Sequence, residues 1–411
     1  MKFIEGGVCA PKGFLAAGVH AGIRKSRSKR DLMLIVSDRI CTASAVYTQS
    51  QLKGAPVLVT QRNLRDGRAQ AVICNSGVAN TCAPGGEDNA RRMCEIAAEI
   101  TGVKPGDVIV ASTGIIGVPL PLEPIEASRR ALREALKTDG SSDAADAILT
   151  LDTRKKECAV EFEMDGKLCR IGGIAKGSGM IHPNMATTLC FITSDVAITH
   201  GALESALHSA VNESFNMISV DGDTSTNDMV TLMASAAAHN LNMIEFGTPD
   251  YHTFLSALTE LCLTLAKEVA RDGEGATKLI ECRVTGAADL ESARAIAKTV
   301  ISSMRVKAAM FGADANWGRI VGAMGNTVKS NGKPVRVDFN EADISFESAA
   351  GRVDCCKSGE GLPFSEEYAK QILKQNEIRI LCTLREGDAC ATAYGCDLTY
   401  DFVRINGDYR N

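Results

Sequence analysis

A threonine that follows a small residue and a glycine-rich turn is the clearest candidate for chemistry in this chain. Thr187 comes directly after Ala186, in the run K-G-S-G-M-I-H-P-N-M-A-T-T-L over 176–189. If the bond between them breaks, Thr187 becomes an N-terminus with a hydroxyl nucleophile and an α-amine in one residue. The reference pKa of an α-amine is roughly 7.7–8.0, so near neutral pH it can serve as the base for that hydroxyl. A protein could cut itself at this junction, and Thr187 would then be its nucleophile.

The same residues also fit a purely structural interpretation. Gly-Ser-Gly is typical of a turn, and Pro183 favours an extended residue before it. The run 187–192 is typical of a buried strand. On the residues alone, both interpretations stand.

A second cluster could stabilise the negative charge that builds on a carbonyl oxygen during amide cleavage or acyl transfer. The run S-T-G-I-I-G over 112–117 follows an apolar strand pattern. Thr113 can offer its hydroxyl and Gly114 its backbone N–H to such an oxyanion. The alternative is a turn at the end of a strand.

An amino-acid substrate carries a carboxylate and an ammonium group, so its pocket needs a cation and an acid. Lys176 lies eleven residues before Thr187, across a glycine turn that could fold it back towards the nucleophile. Glu274 lies between two glycines, which let the backbone approach a ligand closely. Either residue could instead be an ordinary surface charge.

Composition narrows the class of protein. With 411 residues, 45% of them hydrophobic, the chain can bury a large core and is long enough for two domains or lobes. A net charge of −5 argues against nucleic acid or anionic lipid as a partner. The fifteen cysteines show no C-x-x-C and no zinc-ligand spacing, so we expect buried thiols in a reducing compartment and no metal. No signal peptide or membrane span is evident, and we expect a cytoplasmic protein.

Strand and helix patterns alternate along the chain and predict an α/β or α+β protein with helices packed on mixed sheets. Four short apolar runs predict strands buried on both faces: 32–36, 71–74, 108–111 and 189–192. Four apolar stripes predict helices: 124–136, opened by Pro124, then 203–211, 254–269 and 290–304.

Two other motifs resemble binding loops without matching them. The run 221–228 begins like a calcium loop, but Thr226 stands where glycine is required and Leu232 where the closing glutamate is required. We interpret it as a scaffold turn. The glycines around Ser178 lack the Gly-Lys-Ser/Thr ending of a nucleotide loop, which argues against ATP.

The run 176–189 resembles the self-processing site of the glutamate N-acetyltransferase (ornithine acetyltransferase) family, whose pattern is close to K-G-S-G-M-I-x-P-N-M-A-T-x-L. Further similar motifs extend from 6–14 to 404–406, in the same order. The resemblance implies a layered α+β sandwich of the N-terminal-nucleophile type. It also implies cleavage between Ala186 and Thr187 into an α chain, 1–186, and a β chain, 187–411, which assemble as two α and two β chains.

The resemblance further implies roles for individual residues. Thr187 is the nucleophile, and Thr113 and Gly114 form the oxyanion hole. The substrate-binding residues, besides Thr187, are Thr153, Lys176, Glu274, Asn406 and Asn411. Asn411 is a departure, because the family often ends in threonine or a similar hydroxyl residue, and its longer side chain could shift the preferred substrate.

The activity that the resemblance implies is ping-pong transfer of acetyl from N2-acetylornithine to glutamate in arginine biosynthesis. No cofactor is expected, although acetyl-CoA could serve as a second acetyl donor. Two alternatives remain open. One is a related self-cleaving amidase or aminopeptidase that gives the acyl group to water, and the other is a family member without activity that acts as a binding scaffold.

Overall fold

The computed structural model describes residues 1–26, 28–164, 166–182 and 188–407. These described residues form two compact units. The first contains 1–177, 188–216 and 224–269, and the second contains 178–182, 217–223 and 270–407. Each unit is built on one mixed β-sheet with helices against it. The predicted class, helices packed on mixed sheets, is confirmed.

The sheet of the first unit has nine strands among the described residues. They are β1 (Lys2–Ile4), β2 (Phe14–Val19), β3 (Leu32–Tyr47), β4 (Arg68–Val78), β5 (Val108–Ile115), β6 (Lys156–Met164), β7 (Lys167–Lys176), β8 (Leu189–Ser194) and β10 (Met229–Ala234). Their order across the sheet is β1-β6-β7-β8-β10-β3-β4-β5, and β2 also pairs with β3. The β4–β5 and β8–β10 pairs are parallel, whereas the other pairs are antiparallel.

Helices bury apolar side chains of this sheet in two separate clusters. The helices of the first unit are α1 (Ala55–Asn63), α2 (Gly86–Thr101), α3 (Leu122–Ala127), α4 (Arg129–Ala135), α5 (Ser141–Ile148), α6 (His200–Glu213) and α7 (Pro249–Arg271), whose last two residues belong to the second unit. In one cluster Ile148 of α5 lies with Phe191 and Met229, and in the other Met93 of α2 lies with Leu34. This packing between helices and sheet holds in place the strands whose ends carry the site residues.

The sheet of the second unit has seven strands among the described residues. They are β9 (Ile218–Ser219), β11 (Leu279–Ala287), β12 (Asp343–Ser348), β13 (Gly351–Lys357), β14 (Glu360–Gly361), β15 (Glu377–Thr383) and β16 (Ala389–Cys396), in the order β14-β13-β12-β15-β11-β16-β9. Its helices are α8 (Leu290–Ser302), α9 (Met304–Phe311), α10 (Trp317–Gly325), α11 (Glu366–Leu373) and α12 (Tyr400–Gly407). One core cluster joins Ile296, Met310 and Ile372 from these helices to Ile280 of the sheet.

The four predicted strands are confirmed, and every residue in the four runs is buried. Two helix predictions need correction. The predicted helix 124–136 is two helices, α3 and α4, that begin at Leu122 and break at Ser128. The Ser128 hydroxyl donates to the Pro124 carbonyl (2.8 Å), a local bond that disfavours a straight helix.

The second correction concerns the stripe 290–304, which crosses a break between α8 and α9. Ser303 is extended, and its side chain accepts from the Val306 N–H, so it caps the start of α9. The apolar pattern continued through this break because both helices contribute side chains to the same core.

The fifteen cysteines, all of them among the described residues, are free thiols. Eleven are buried, but Cys82 and Cys390 are exposed, which departs from the expectation that all are core residues. Within the described ranges, no helix is long and apolar enough to cross a bilayer.

Candidate active site

The predicted site residues fall into two groups within the described part of the chain. Thr113, Gly114, Thr153 and Lys176 belong to the first unit. Glu274 and Asn406 belong to the second unit. The predicted cleavage residues Ala186 and Thr187, and the C-terminal Asn411, lie outside the described residues.

Thr113 and Gly114 lie in the last part of β5, in parallel register with Ser76 and Gly77 of β4. Gly114 has φ +131°, a conformation that L-residues with a side chain rarely adopt. A Cβ on Gly114 would lie 2.2 Å from the carbonyl carbon of Gly77. Position 114 therefore accepts glycine alone. Any side chain here would collide with the Gly77 backbone and prevent the positive φ that the end of β5 adopts.

Lys176 ends β7, and its ammonium group reaches Thr113 although the two residues are far apart in sequence. The Lys176 Nζ donates to the Thr113 Oγ1 at 3.2 Å. An oxygen that accepts from a cation keeps its own proton to donate, and the positive charge makes that proton a better donor. The pair can therefore present a polarised O–H to a negatively charged oxygen.

Asp152 holds the residues around Lys176 in place. Its carboxylate accepts from the Gly177 N–H (2.7 Å) and from the Lys156 Nζ (2.7 Å), and both side chains of the ion pair are fully buried. Burial would raise the pKa of Asp152, but the Lys176 and Lys156 ammonium groups outweigh it and hold that pKa well below its usual range. Asp152 is therefore ionised at neutral pH.

We expect Asp152→Asn to lower stability strongly at neutral pH, because it removes the buried carboxylate that pairs with the buried Lys156 ammonium group. Breaking a buried pair costs about 3–5 kcal/mol. The folded-state pKa of Asp152 is depressed, so its stabilisation is present above the unfolded pKa of about 3.9 and is lost as pH falls below it. Thermal unfolding of both proteins between pH 7 and pH 3 measures the difference, which should shrink towards pH 3.

Asp38→Asn is the matched control for that experiment. Asp38 pairs with Arg39 at 2.8 Å, and both side chains are about half exposed. A solvent-screened pair contributes little, so this variant should unfold close to the wild-type temperature. If Asp152→Asn lowers the unfolding temperature no more than Asp38→Asn does, the buried Asp152–Lys156 pair does not stabilise the fold as we expect.

Thr153 follows Asp152 directly, and its side chain is exposed. The bonds of Asp152 fix the backbone next to it: the Asp152 Oδ2 accepts from the Thr150 N–H at 2.9 Å. Thr153 therefore stands at the surface beside the network that holds Lys176, where it can contact a ligand.

In the second unit, Glu274 and Asn406 contact each other. The Asn406 Nδ2 donates to the Glu274 Oε2 at 2.8 Å, and the Glu274 N–H donates to the Ser178 carbonyl at 2.9 Å. A Cβ on Gly179 would lie 2.1 Å from the Glu274 Oε1, so the carboxylate rests against the backbone of this glycine. Gly275, with φ +69°, lets the start of α12 approach the same loop. The pair presents an acid and an amide, which suit an ammonium group.

The run 221–228, interpreted as a scaffold turn, anchors the segment that leads to the predicted cleavage bond. The carboxylate of Asp221 accepts from the N–H groups of Met180 (2.6 Å) and Ile181 (2.9 Å). Met180 has φ +57°, an uncommon conformation for a residue with a side chain. The scaffold interpretation agrees with these bonds. Among the described residues, no group of His, Cys, Asp or Glu is placed to hold a metal ion.

Asn227, in the same run, is a positioning residue that the sequence did not reveal. It is buried, and its Nδ2 donates to the carbonyls of Ala79 (2.6 Å) and Ser112 (3.0 Å), while its Oδ1 accepts from the Thr81 hydroxyl (2.6 Å). It thus fixes the residue immediately before Thr113. The only sequence signal was the interpretation of 221–228 as a scaffold turn, which does not identify the partners of Asn227.

Comparison with known proteins identifies the family. The ArgJ family profile matches residues 15–411. The arginine biosynthesis bifunctional protein ArgJ of Symbiobacterium thermophilum is 47% identical over the full length of both chains. A crystal structure of the arginine biosynthesis bifunctional protein argJ of Bacillus halodurans is 46% identical and covers 53% of this chain and 98% of its own, with a TM-score of 0.49. The ornithine acetyltransferase of Mycobacterium tuberculosis, crystallised with ornithine, is 36% identical and covers 45% of this chain and 99% of its own, with a TM-score of 0.42. The profile match over 15–411 and the full-length relative show that this chain belongs to the ArgJ family.

Proposed function

We propose that this chain transfers acetyl from N2-acetylornithine to glutamate through an acetyl ester on Thr187. Membership of the ArgJ family makes it an acetyltransferase of arginine biosynthesis. The structural observation that carries the proposal is the 3.2 Å contact between Lys176 and Thr113 beside Gly114. Such a polarised donor suits the tetrahedral oxyanion of acyl transfer.

The reaction runs in two halves. The α-amine of mature Thr187 takes the proton of its own hydroxyl, and the oxygen attacks the acetyl carbonyl of N2-acetylornithine. The tetrahedral oxyanion is held by the Thr113 hydroxyl and the Gly114 N–H. The C–N bond breaks, the amine of ornithine takes the proton and leaves, and acetyl stays on Thr187. Glutamate then attacks the ester by the reverse steps and leaves as N-acetylglutamate.

The remaining substrate contacts follow from the chemistry of the groups. Lys176 and Thr153 suit a carboxylate, Glu274 and Asn406 suit an ammonium group, and Asn411 can both donate and accept. The relatives are called bifunctional, and we propose acetyl-CoA as a second acetyl donor to Thr187. We also propose that two α and two β chains assemble after cleavage, in the cytoplasm.

The direct test incubates purified protein with N2-acetylornithine and glutamate and follows ornithine and N-acetylglutamate. We expect equal amounts of both products, and parallel lines in double-reciprocal plots, as in ping-pong kinetics. A second reaction with acetyl-CoA in place of N2-acetylornithine should release CoA if acetyl-CoA is a donor. Acetate in place of N-acetylglutamate, with glutamate saturating, would instead support the amidase alternative.

Gly179→Ala should weaken substrate binding with little effect on turnover. The new Cβ would displace the Glu274 carboxylate and break its bond to Asn406, while the backbone has no need to move. Loss of one charge-assisted contact of about 1.5–3 kcal/mol raises KM for N2-acetylornithine roughly 10- to 100-fold with kcat nearly unchanged. Steady-state kinetics of the matured variant measures both constants.

Gly106→Ala is the control, because a Cβ at Gly106 meets no atom within 4 Å. It should have wild-type constants. An unchanged KM in Gly179→Ala would show that Glu274 does not contact the substrate.

A further inference from the structure

The two amino acids of the proposed reaction end in side chains of opposite charge. N2-acetylornithine has an ammonium group at the end of its side chain, whereas glutamate has a carboxylate. In a ping-pong reaction both present their α-nitrogen to the same acetyl carrier. The Glu274 carboxylate suits the ammonium group of the donor but repels the carboxylate of the acceptor. The acceptor side chain therefore needs a cation of its own.

The second unit contains a cluster with a cation, to which nothing above assigns a role. Lys298 and Ser302 lie four residues apart on α8, so their side chains are neighbours on one face of the helix. The His182 Nδ1 lies 3.0 Å from the Ser219 Oγ and 3.5 Å from the Ser302 Oγ. Burial and then the Lys298 charge lower the pKa of His182 to about 4, so the ammonium group lies near the same ring. We call these four residues the Lys298 cluster.

The charge of the Lys298 cluster suits an anion. Burial lowers the pKa of Lys298 to about 8, so its ammonium group is still mostly protonated at pH 7, whereas His182 is neutral. Ser219 is buried, and Lys298 and Ser302 are partly buried. In such a place a charge attracts an anion more strongly than it does at an open surface. An ammonium group and two hydroxyl groups are also the donors that a carboxylate accepts from.

A short segment, 178–182, connects the Lys298 cluster to Glu274, and all of these residues belong to the second unit. Gly179 lies against the Glu274 carboxylate, since a Cβ on it would be 2.1 Å from the Glu274 Oε1. His182, at the end of the segment, contacts Ser219. Three residues of chain span at most about 11 Å, so the Cα atoms of Gly179 and His182 are no farther apart than that. The carboxylate and the Lys298 cluster therefore lie in one small region.

The same segment carries a buried hydroxyl group that lacks a partner. Ser178 is 1% exposed, and its Oγ makes no hydrogen bond within the part of the chain that the structure describes. A buried polar group left unsatisfied costs free energy, which a polar ligand or a water molecule removes. Ser178 precedes the glycine that contacts Glu274, so this hydroxyl favours a polar ligand at the segment.

We propose that Lys298, with the hydroxyl groups of Ser219 and Ser302, binds the side-chain carboxylate of the acceptor glutamate, an inference that rests on the proposed function. Glu274 and Asn406 bind the ammonium group of the donor, and the Lys298 cluster binds the acceptor once ornithine has left. Lys298 thereby determines which amino acid receives the acetyl group. Glutamine has the same shape as glutamate but lacks the charge, so it gains little from this cation.

The test compares glutamate with glutamine as the acceptor, with N2-acetylornithine saturating, in the matured wild type and in Lys298→Met. In the wild type, kcat/KM should favour glutamate. Lys298→Met should raise KM for glutamate about 10- to 100-fold, as expected for one charge-assisted contact, and leave kcat/KM for glutamine nearly unchanged. The kcat/KM for N2-acetylornithine should not change, because the donor reacts before the acceptor binds. Lys298→Arg keeps the charge and should recover part of the preference for glutamate.

Lys370→Met is the matched control, because it removes one lysine charge from an exposed position on α11 of the same unit. It should keep the wild-type ratio of kcat/KM for glutamate to kcat/KM for glutamine. A wild-type ratio in Lys298→Met, or a wild type that uses both acceptors equally well, would overturn the inference and leave the proposed function intact.

Ser302→Ala replaces Lys298→Met if that variant does not mature. It removes one hydroxyl donor from the Lys298 cluster and leaves the charge in place. A ratio several-fold below that of the wild type would support the inference, and an unchanged ratio would overturn it. A wild type that releases no ornithine from N2-acetylornithine would instead remove the proposed function itself.

Discussion

Thr187→Ala should yield one full-length band on denaturing electrophoresis and no acetyl transfer. The hydroxyl serves both reactions, so its loss removes the nucleophile from cleavage and from transfer alike. Turnover should fall by roughly 10⁶-fold, as when a covalent catalyst loses its nucleophile. The wild type should instead give two bands of roughly 20 and 24 kDa, in proportion to chain lengths within 43.6 kDa. N-terminal sequencing of the larger band should begin Thr-Thr-Leu-Cys.

Thr187→Ser distinguishes the contribution of the Thr187 hydroxyl from that of its methyl group. It keeps the nucleophile but loses the methyl group that restricts its rotamer, so both reactions should continue at a lower rate. The two wild-type chains should copurify without denaturant, because β8 of the predicted β chain pairs with β7 of the predicted α chain. A fully active Thr187→Ala protein would exclude the proposed mechanism.

Gly114→Ala should have the second largest effect. Its Cβ would lie 2.2 Å from the Gly77 carbonyl carbon and 2.6 Å from the Val78 nitrogen, both of them backbone atoms that cannot move without breaking the β4–β5 ladder. The displaced N–H no longer points at the oxyanion, and loss of one such donor costs about 10²–10³-fold in kcat. Self-cleavage should slow by a similar factor, because it passes through the same kind of intermediate. Single-turnover assays measure the two rates.

Gly117→Ala separates backbone strain from steric collision. Gly117 also has positive φ, +81°, but a Cβ there meets nothing within 4 Å. The variant should lose about 1–2 kcal/mol of stability from the unfavourable conformation and still mature and turn over. If Gly114→Ala behaves like Gly117→Ala, within tenfold of the wild type, position 114 does not shape the donor.

Local chemistry and local burial could be inferred from the sequence. The Ala186–Thr187 junction predicts a nucleophile because the needed atoms belong to one residue. The strand runs 32–36 and 108–111 were correct because continuous apolar character reports burial on both faces. The breaks at Ser128 and Ser303 were missed because the apolar stripe continues through them, and each depends on a side-chain hydrogen bond that periodicity does not register.

The tertiary structure alone decided which residues meet. Lys176 contacts Thr113, Asp152 holds Gly177, and Asn227 binds the Ser112 carbonyl. Each pairing joins segments distant in sequence and depends on which strands become neighbours and in what register. An apolar pattern shows that a strand is buried but not which strand lies beside it, because the hydrogen bonds that select the neighbour are made by the backbone, which is the same in every residue except proline. The sequence by itself therefore determined the class of fold and predicted the reacting residue, whereas the groups around the strand ends followed from strand order and register.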